Sequence, residues 1–166
     1  MTKDEKFMLQ AIKQAEKSVK TGDWGMGCVI VADNTIVGRG RNTGFSHKNR
    51  LAHAEVMALT QARLKLEKYR SKATMYCTYE PCPMCFGAAL VMKIRRVVVG
   101  VDLDNSGALN LKKHLPPFYQ QDKFKLDVKR GVLAHECKAV CLKSNPGKEH
   151  FSKLNKKLQN LQGPTL

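Results

Sequence analysis

ATMYCTYEPCPMCFGAALVMKIRRVVVGV, residues 73–101, holds the reading that decides the fold. ATMYCTY is β-branched and aromatic and reads as a strand. PMCFGAALVMK reads as a helix, with Pro83 in its first turn, where the missing N–H costs nothing. RRVVVGV is an unbroken run of β-branched residues and reads as a strand buried on both faces. Strand, helix and strand in one short run point to an α/β protein.

The same pattern extends outward on both sides. Upstream, HAEVMALTQARLKL reads as a helix whose buried stripe would be Ala54, Met57, Ala58 and Leu64. Before it, CVIVA and TIVGRGRN form a hairpin through the turn pair Asp33-Asn34. The first helix covers about residues 4–20, with Phe7, Met8, Ala11, Ile12, Ala15 and Val19 on one stripe and lysines opposite. Downstream, Pro116-Pro117 prevents a continuous helix in LKKHLPPFYQQ. FKLDVKRG supplies a short last strand, and VLAHECKAVCLK another helix. Asn145-Pro146-Gly147 then breaks the chain before a basic terminal helix near 148–161. This order predicts a three-layer α/β/α sandwich around a central mixed five-stranded sheet. Residues 1–166 are expected to form one domain, with a basic C-terminal helical segment over about 143–166.

Composition narrows the function. The formal net charge is +15, which favours a polyanionic partner, since lysines and arginines that neutralise phosphates release counterions. No run reaches the length of a membrane span, and the charged, periodic N-terminus does not read as a secretory signal. A cytoplasmic protein is expected. Cys28, Cys77, Cys137 and Cys141 lie in apolar periodic runs and read as buried free thiols rather than as a disulfide framework.

Cys82 and Cys85 are different, because they open a helix whose N-terminal dipole favours thiolates. His53 and Glu55 sit at the start of the preceding helix. Two thiolates and one imidazole give three zinc ligands and leave a fourth tetrahedral position for water, the arrangement of a catalytic site. A redox pair gains nothing from the His-x-Glu motif. A structural zinc site needs a fourth ligand, for which His47 and Cys77 are the available choices. With three ligands converging, Glu55 reads as the general acid and base beside a single zinc ion. Trp24 and Met26, in GDWGMG, are candidates for an apolar pocket wall or a stacking surface.

His53-Ala54-Glu55 with Pro81-Cys82-Pro83-Met84-Cys85 is the signature of zinc-dependent nucleobase deaminases. Over most of residues 5–142 the chain resembles the tRNA adenosine deaminase branch of the cytidine deaminase-like superfamily. The matching stretches are GMGCVIV, GRGRN, AHAEVMAL, MYCTYEPCPMC, RRVVVG, NSGA and GVLAHEC. The first of these are also similar to bacterial guanine deaminases. The resemblance implies a cytidine deaminase-like fold and hydrolytic conversion of adenosine to inosine in a tRNA anticodon loop, by a homodimer. It implies that Asn42 hydrogen-bonds the base or its sugar and that the Ala54 N–H donates to the substrate ring. A free purine base or nucleoside is the alternative substrate, and a zinc-stabilised nucleic-acid-binding module the alternative of another class. Gly25, Leu103 and LKKHLPPFYQQ depart from the family's usual pattern.

Overall fold

The computed structural model describes residues 1–69, 72–101, 107–146, 149 and 152–153. Among these the chain runs α1 (Lys3–Lys20), β1 (Gly27–Ala32), β2 (Thr35–Arg41), α2 (Ala54–Tyr69), β3 (Thr74–Tyr79), α3 (Pro83–Val91), β4 (Arg96–Val101), β5 (Asp127–Lys129) and α4 (Ala134–Leu142). Three 3-10 turns, Leu109–His114, Pro117–Gln120 and Asp122–Phe124, replace a helix between β4 and β5. The five strands form one mixed sheet in the order β2-β1-β3-β4-β5. β1 is antiparallel to β2 and β3, whereas β3, β4 and β5 run parallel.

The hairpin closes through Asp33 and Asn34, both with positive φ (46° and 61°). Its turn thereby matches the twist of the flanking strands. The alternation of side chains across β1, β3 and β4 divides the core in two. Cys28, Ile30, Met75, Cys77, Val97 and Val99 pack under α2 and α3. Val29, Val31, Tyr76 and Val98 pack under α1 and α4. The expected valine-rich strand β4 is indeed covered on both faces. Cys28, Cys77, Cys137 and Cys141 are all buried and free. α1 begins at a capping box, in which Thr2 accepts from the Glu5 N–H and the Glu5 carboxylate accepts from the Thr2 N–H.

The buried stripe of α2 differs from expectation. Met57 and Leu64 are 38% and 74% exposed, while Ala58, Leu59, Ala62 and Leu66 face the sheet. The reason is close packing, for only alanines fit where α2 crosses β2 at Gly38 and Gly40. A Cβ on Gly40 would run into the Ala54 carbonyl, and one on Gly38 into the Ala58 carbonyl. The expected basic terminal helix and Leu103 lie largely outside the described residues: α4 ends at Leu142, and positions 102–106 and 154–166 are not described.

Candidate active site

Two helix N-termini meet beyond the C-terminal end of β3, where an α/β sheet gathers its functional groups. Cys82 is the N-cap of α3, held extended (φ −69°, ψ 170°) by Pro83 at the first helical position. Cys85 follows in the first turn. The glycines of β2 seat the start of α2 beside them, and His53 caps that helix by accepting the Met57 N–H through its carbonyl.

Three side chains converge as a result. His53 Nδ1 lies 3.5 Å from both the Cys82 and the Cys85 sulfur, and the two sulfurs are 3.6 Å apart. Zn–S bonds near 2.3 Å and Zn–N bonds near 2.0 Å give a tetrahedron with edges of about 3.5–3.8 Å, so these donors fit one zinc ion. Among the described residues no fourth histidine, cysteine or carboxylate joins the cluster. His47 and Cys77 stay outside it. Cys77 faces Cys28 across β1 and β3, with the sulfurs 3.8 Å apart.

The electrostatics suit thiolate ligation. Cys85 donating to Cys82, and His53 beside it, hold the Cys82 pKa down to about 4 despite burial. That same donation pushes the Cys85 pKa up, so the metal-free pair keeps one proton that binding must release. Hydrogen bonding to Cys82 likewise raises the pKa of His53. Glu55 is buried, with Oε2 3.4 Å from the Cys85 sulfur, and burial raises its pKa.

A cleft of about 530 Å³ opens over His53, lined also by Trp24, Asn42, Gly44, Phe45, Lys48 and Arg50. Of the candidate substrate-binding residues, Trp24 and Asn42 therefore stand on its wall. Met26 is half-buried and packs between the two halves of the core. Ala54 is buried, in the first turn of α2, whose N–H groups have no intrahelical acceptor. Asn42 is 4% exposed, and its Oδ1 accepts the Gly44 N–H at 3.0 Å, which leaves the amide N–H groups to donate.

One residue escaped the sequence reading. Asp23 is fully buried, and its Oδ1 accepts from the Phe45 and Ser46 N–H groups at 2.8 and 2.9 Å. Its Oδ2 accepts from the Thr21 hydroxyl at 2.7 Å. Burial opposes its charge, but hydrogen bonds from Ser46, Thr21 and Phe45 prevail and hold its pKa below the usual value. Asp23 thus ties down the loop carrying Phe45, Lys48 and Arg50. In sequence, an aspartate within TGDWG looks like an ordinary turn former.

Comparison with known proteins agrees with this geometry. Residues 1–101 match the cytidine and deoxycytidylate deaminase zinc-binding region, a span that holds His53, Glu55, Cys82 and Cys85. The chain is 35% identical over 140 residues to a tRNA-specific adenosine deaminase of Bacillus subtilis, covering 82% of this chain and 85% of that one. It is 38% identical over 136 residues to the Haemophilus influenzae protein of the same name, covering 81% and 78%. A solved structure from a study of A-to-I editing by tRNA:A34 deaminases superposes with a TM-score of 0.68 at 28% identity, covering 81% of this chain and 98% of the other. Guanine deaminase from Bacillus subtilis superposes with a TM-score of 0.52 at 32% identity, covering 58% and 63%.

Proposed function

The chain belongs to the cytidine and deoxycytidylate deaminase zinc-binding family, and from that premise we propose that it converts adenosine to inosine in the anticodon loop of tRNA. The observation that carries this reading is the convergence of His53, Cys82 and Cys85, with buried Glu55 beside them, under a cleft edged by Lys48 and Arg50. When bound by these three residues, zinc supplies a Lewis acid that brings the pKa of water toward about 7.

The chain's own groups do the rest. Glu55 accepts the proton of the attacking water and delivers it to the ring nitrogen of the base. Glu55 then takes the second water proton from the hydroxyl now on the carbon and passes it to the departing amine, so that C–NH2 and water become C=O and ammonia. Burial raises the carboxyl pKa, which suits a group that must both take and give a proton. Asn42 donates to the base or its sugar, and the Ala54 N–H holds the ring at its edge. Trp24 walls the cleft, and Met26 packs against both halves of the core.

The same reading includes a homodimer. Leu64 and Val91 are 74% and 65% exposed on neighbouring faces of α2 and α3 and share one groove. These exposed apolar side chains, with Arg63 and Glu67 beside them in the groove, are expected to meet a second copy. Light scattering should report twice the chain mass, and Leu64→Glu with Val91→Glu should return the monomer. No helix among the described residues is long and apolar enough to cross a membrane. The buried reduced thiols fit a cytoplasmic setting.

The likeness to guanine deaminase favours one other reading, a free purine substrate. A deamination panel decides between them, using an anticodon stem–loop RNA, single-stranded DNA, and free bases and nucleosides, each read by mass and run beside Glu55→Ala. Conversion of the stem–loop alone supports tRNA. Turnover of guanine instead overturns it.

A further inference from the structure

The stretch 107–126, between β4 and β5, has no part in the chemistry above, yet it is built with care. It starts beside the metal ligands, where Ala108 N–H donates to the Pro81 carbonyl and Leu109 N–H to the buried Glu80 carboxylate at 3.2 Å. It ends at the opposite end of the parallel strands, where the Arg95 guanidinium donates to the Asp122 carbonyl. Leu109, Phe124 and Leu126 anchor it in the core. The outer face is basic and aromatic.

Three rings form a cluster there. Phe118 packs edge-on to Tyr119, with ring centres 5.2 Å apart, and lies 5.4 Å from Phe124. Tyr119 and Phe124 are 5.1 Å apart. Phe124 is buried, but Phe118 is 54% exposed, at the tip. Pro116 and Pro117 precede it, with Leu115 and Pro116 both extended, so the tip is presented on stiff backbone. The Lys123 ammonium sits 4.4 Å from the centre of the Phe118 ring. Next to the rings a hollow of about 370 Å³ is lined by Lys112, Lys113, Lys125, Tyr119, Phe124 and the acidic side chain of Asp122. It shares no lining residue with the cleft over His53.

An exposed ring held rigid among lysines matches the chemistry of single-stranded nucleic acid, whose bases stack while its phosphates pair with ammonium groups. A purely structural strap needs its inner anchors but not this outer face. We propose that residues 112–125 form a second RNA contact, in which Phe118 stacks on an unpaired base and Lys113, Lys123 and Lys125 meet the adjoining phosphates. This rests on the tRNA reading and assigns a part of the substrate away from the reacting base. The contact adds affinity without reading sequence, because stacking and phosphate pairing are open to any base.

The test uses full-length, zinc-loaded protein, with an adenosine-containing anticodon stem–loop RNA as probe. Binding is measured by fluorescence anisotropy across a salt series, alongside turnover. Phe118→Leu should weaken binding about tenfold and Phe118→Tyr should stay near wild type, because stacking needs a ring rather than apolar bulk. Replacing Lys113, Lys123 and Lys125 together with glutamine should flatten the salt slope by about 2, at roughly 0.7 for each phosphate on a single strand. In both cases KM should rise and kcat hold. Melting temperatures check that each variant is folded. Wild-type turnover of the stem–loop with all variants unchanged would overturn this inference and leave the tRNA reading intact. Equal loss in Phe118→Leu and Phe118→Tyr would overturn the stacking role. Failure of the wild type to bind or convert the RNA, with turnover of a free purine, would overturn both.

Discussion

Asp23 accepts the Phe45 N–H at 2.8 Å, joining the turn before β1 to the loop at the cleft mouth. Two backbone N–H groups depend on that one buried oxygen. Asp23→Ala should orphan both and loosen the loop, raising KM about tenfold with kcat nearly kept, at a stability cost of about 2 kcal/mol. Asp23→Asn should recover most of the affinity, since its amide oxygen can still accept both bonds while its NH2 faces the Thr21 oxygen. Steady-state kinetics on the two variants, with proteolysis of the loop, check this.

Glu55 and the ligands should separate cleanly. Glu55→Gln should lower kcat by about 10²–10⁴-fold with zinc still bound at one ion per chain. Cys82→Ala should lose the metal itself. Chelation of the wild type should abolish turnover, and added zinc should restore it. Metal analysis beside activity distinguishes the two kinds of loss.

Acid should attack the fold at Asp4. Its carboxylate receives two hydrogen bonds from Arg96, at 2.8 and 2.9 Å, and one each from Lys129 and Tyr76. The bonds from Arg96, helped by Lys129 and against the effect of burial, hold its pKa well below the usual carboxylate range. The unfolded chain therefore binds this proton more readily, and stability rises with pH. The contribution is fully present above the unfolded pKa of about 3.9 and is lost as pH falls through the folded value. Thermal melts from neutral to acidic pH should show this decline, and Asp4→Asn should flatten that part of the curve.

Gly40→Ala should disturb the site from outside it. The added methyl meets the Ala54 carbonyl and pushes the start of α2 away from β2. Overpacking of this kind costs about 1–3 kcal/mol, and because His53 precedes Ala54, zinc affinity should fall with stability. A zinc-competition titration measures the second effect, and denaturant unfolding the first.

What the sequence shows plainly is what local chemistry decides. The Asp33-Asn34 turn, the Pro83 helix start and the valines of β4 each produce their element through a short-range cause. The metal cluster was equally legible, because its donors are few and their types restrictive. Met57 and Leu64 misled because periodicity locates an apolar stripe without saying what lies opposite. The contact of Gly38 and Gly40 with α2 is a tertiary fact that turned the alanines inward instead. Asp23 stayed hidden for a similar reason, since its partners at Phe45 and Ser46 are far along the chain.

The seating of α2 on bare glycine backbone also limits how a substrate can enter. With only glycine backbone and short alanine side chains where they cross, which cannot change rotamer or repack, the hairpin and the helix carrying His53 and Glu55 behave as one solid wall. Room for a large nucleic acid must come from the opposite lip, the 43–50 loop that hangs on the Asp23 carboxylate. Mutational tuning of substrate size should therefore succeed on that loop and fail along β2, dividing the molecule into a fixed anvil and an adjustable jaw.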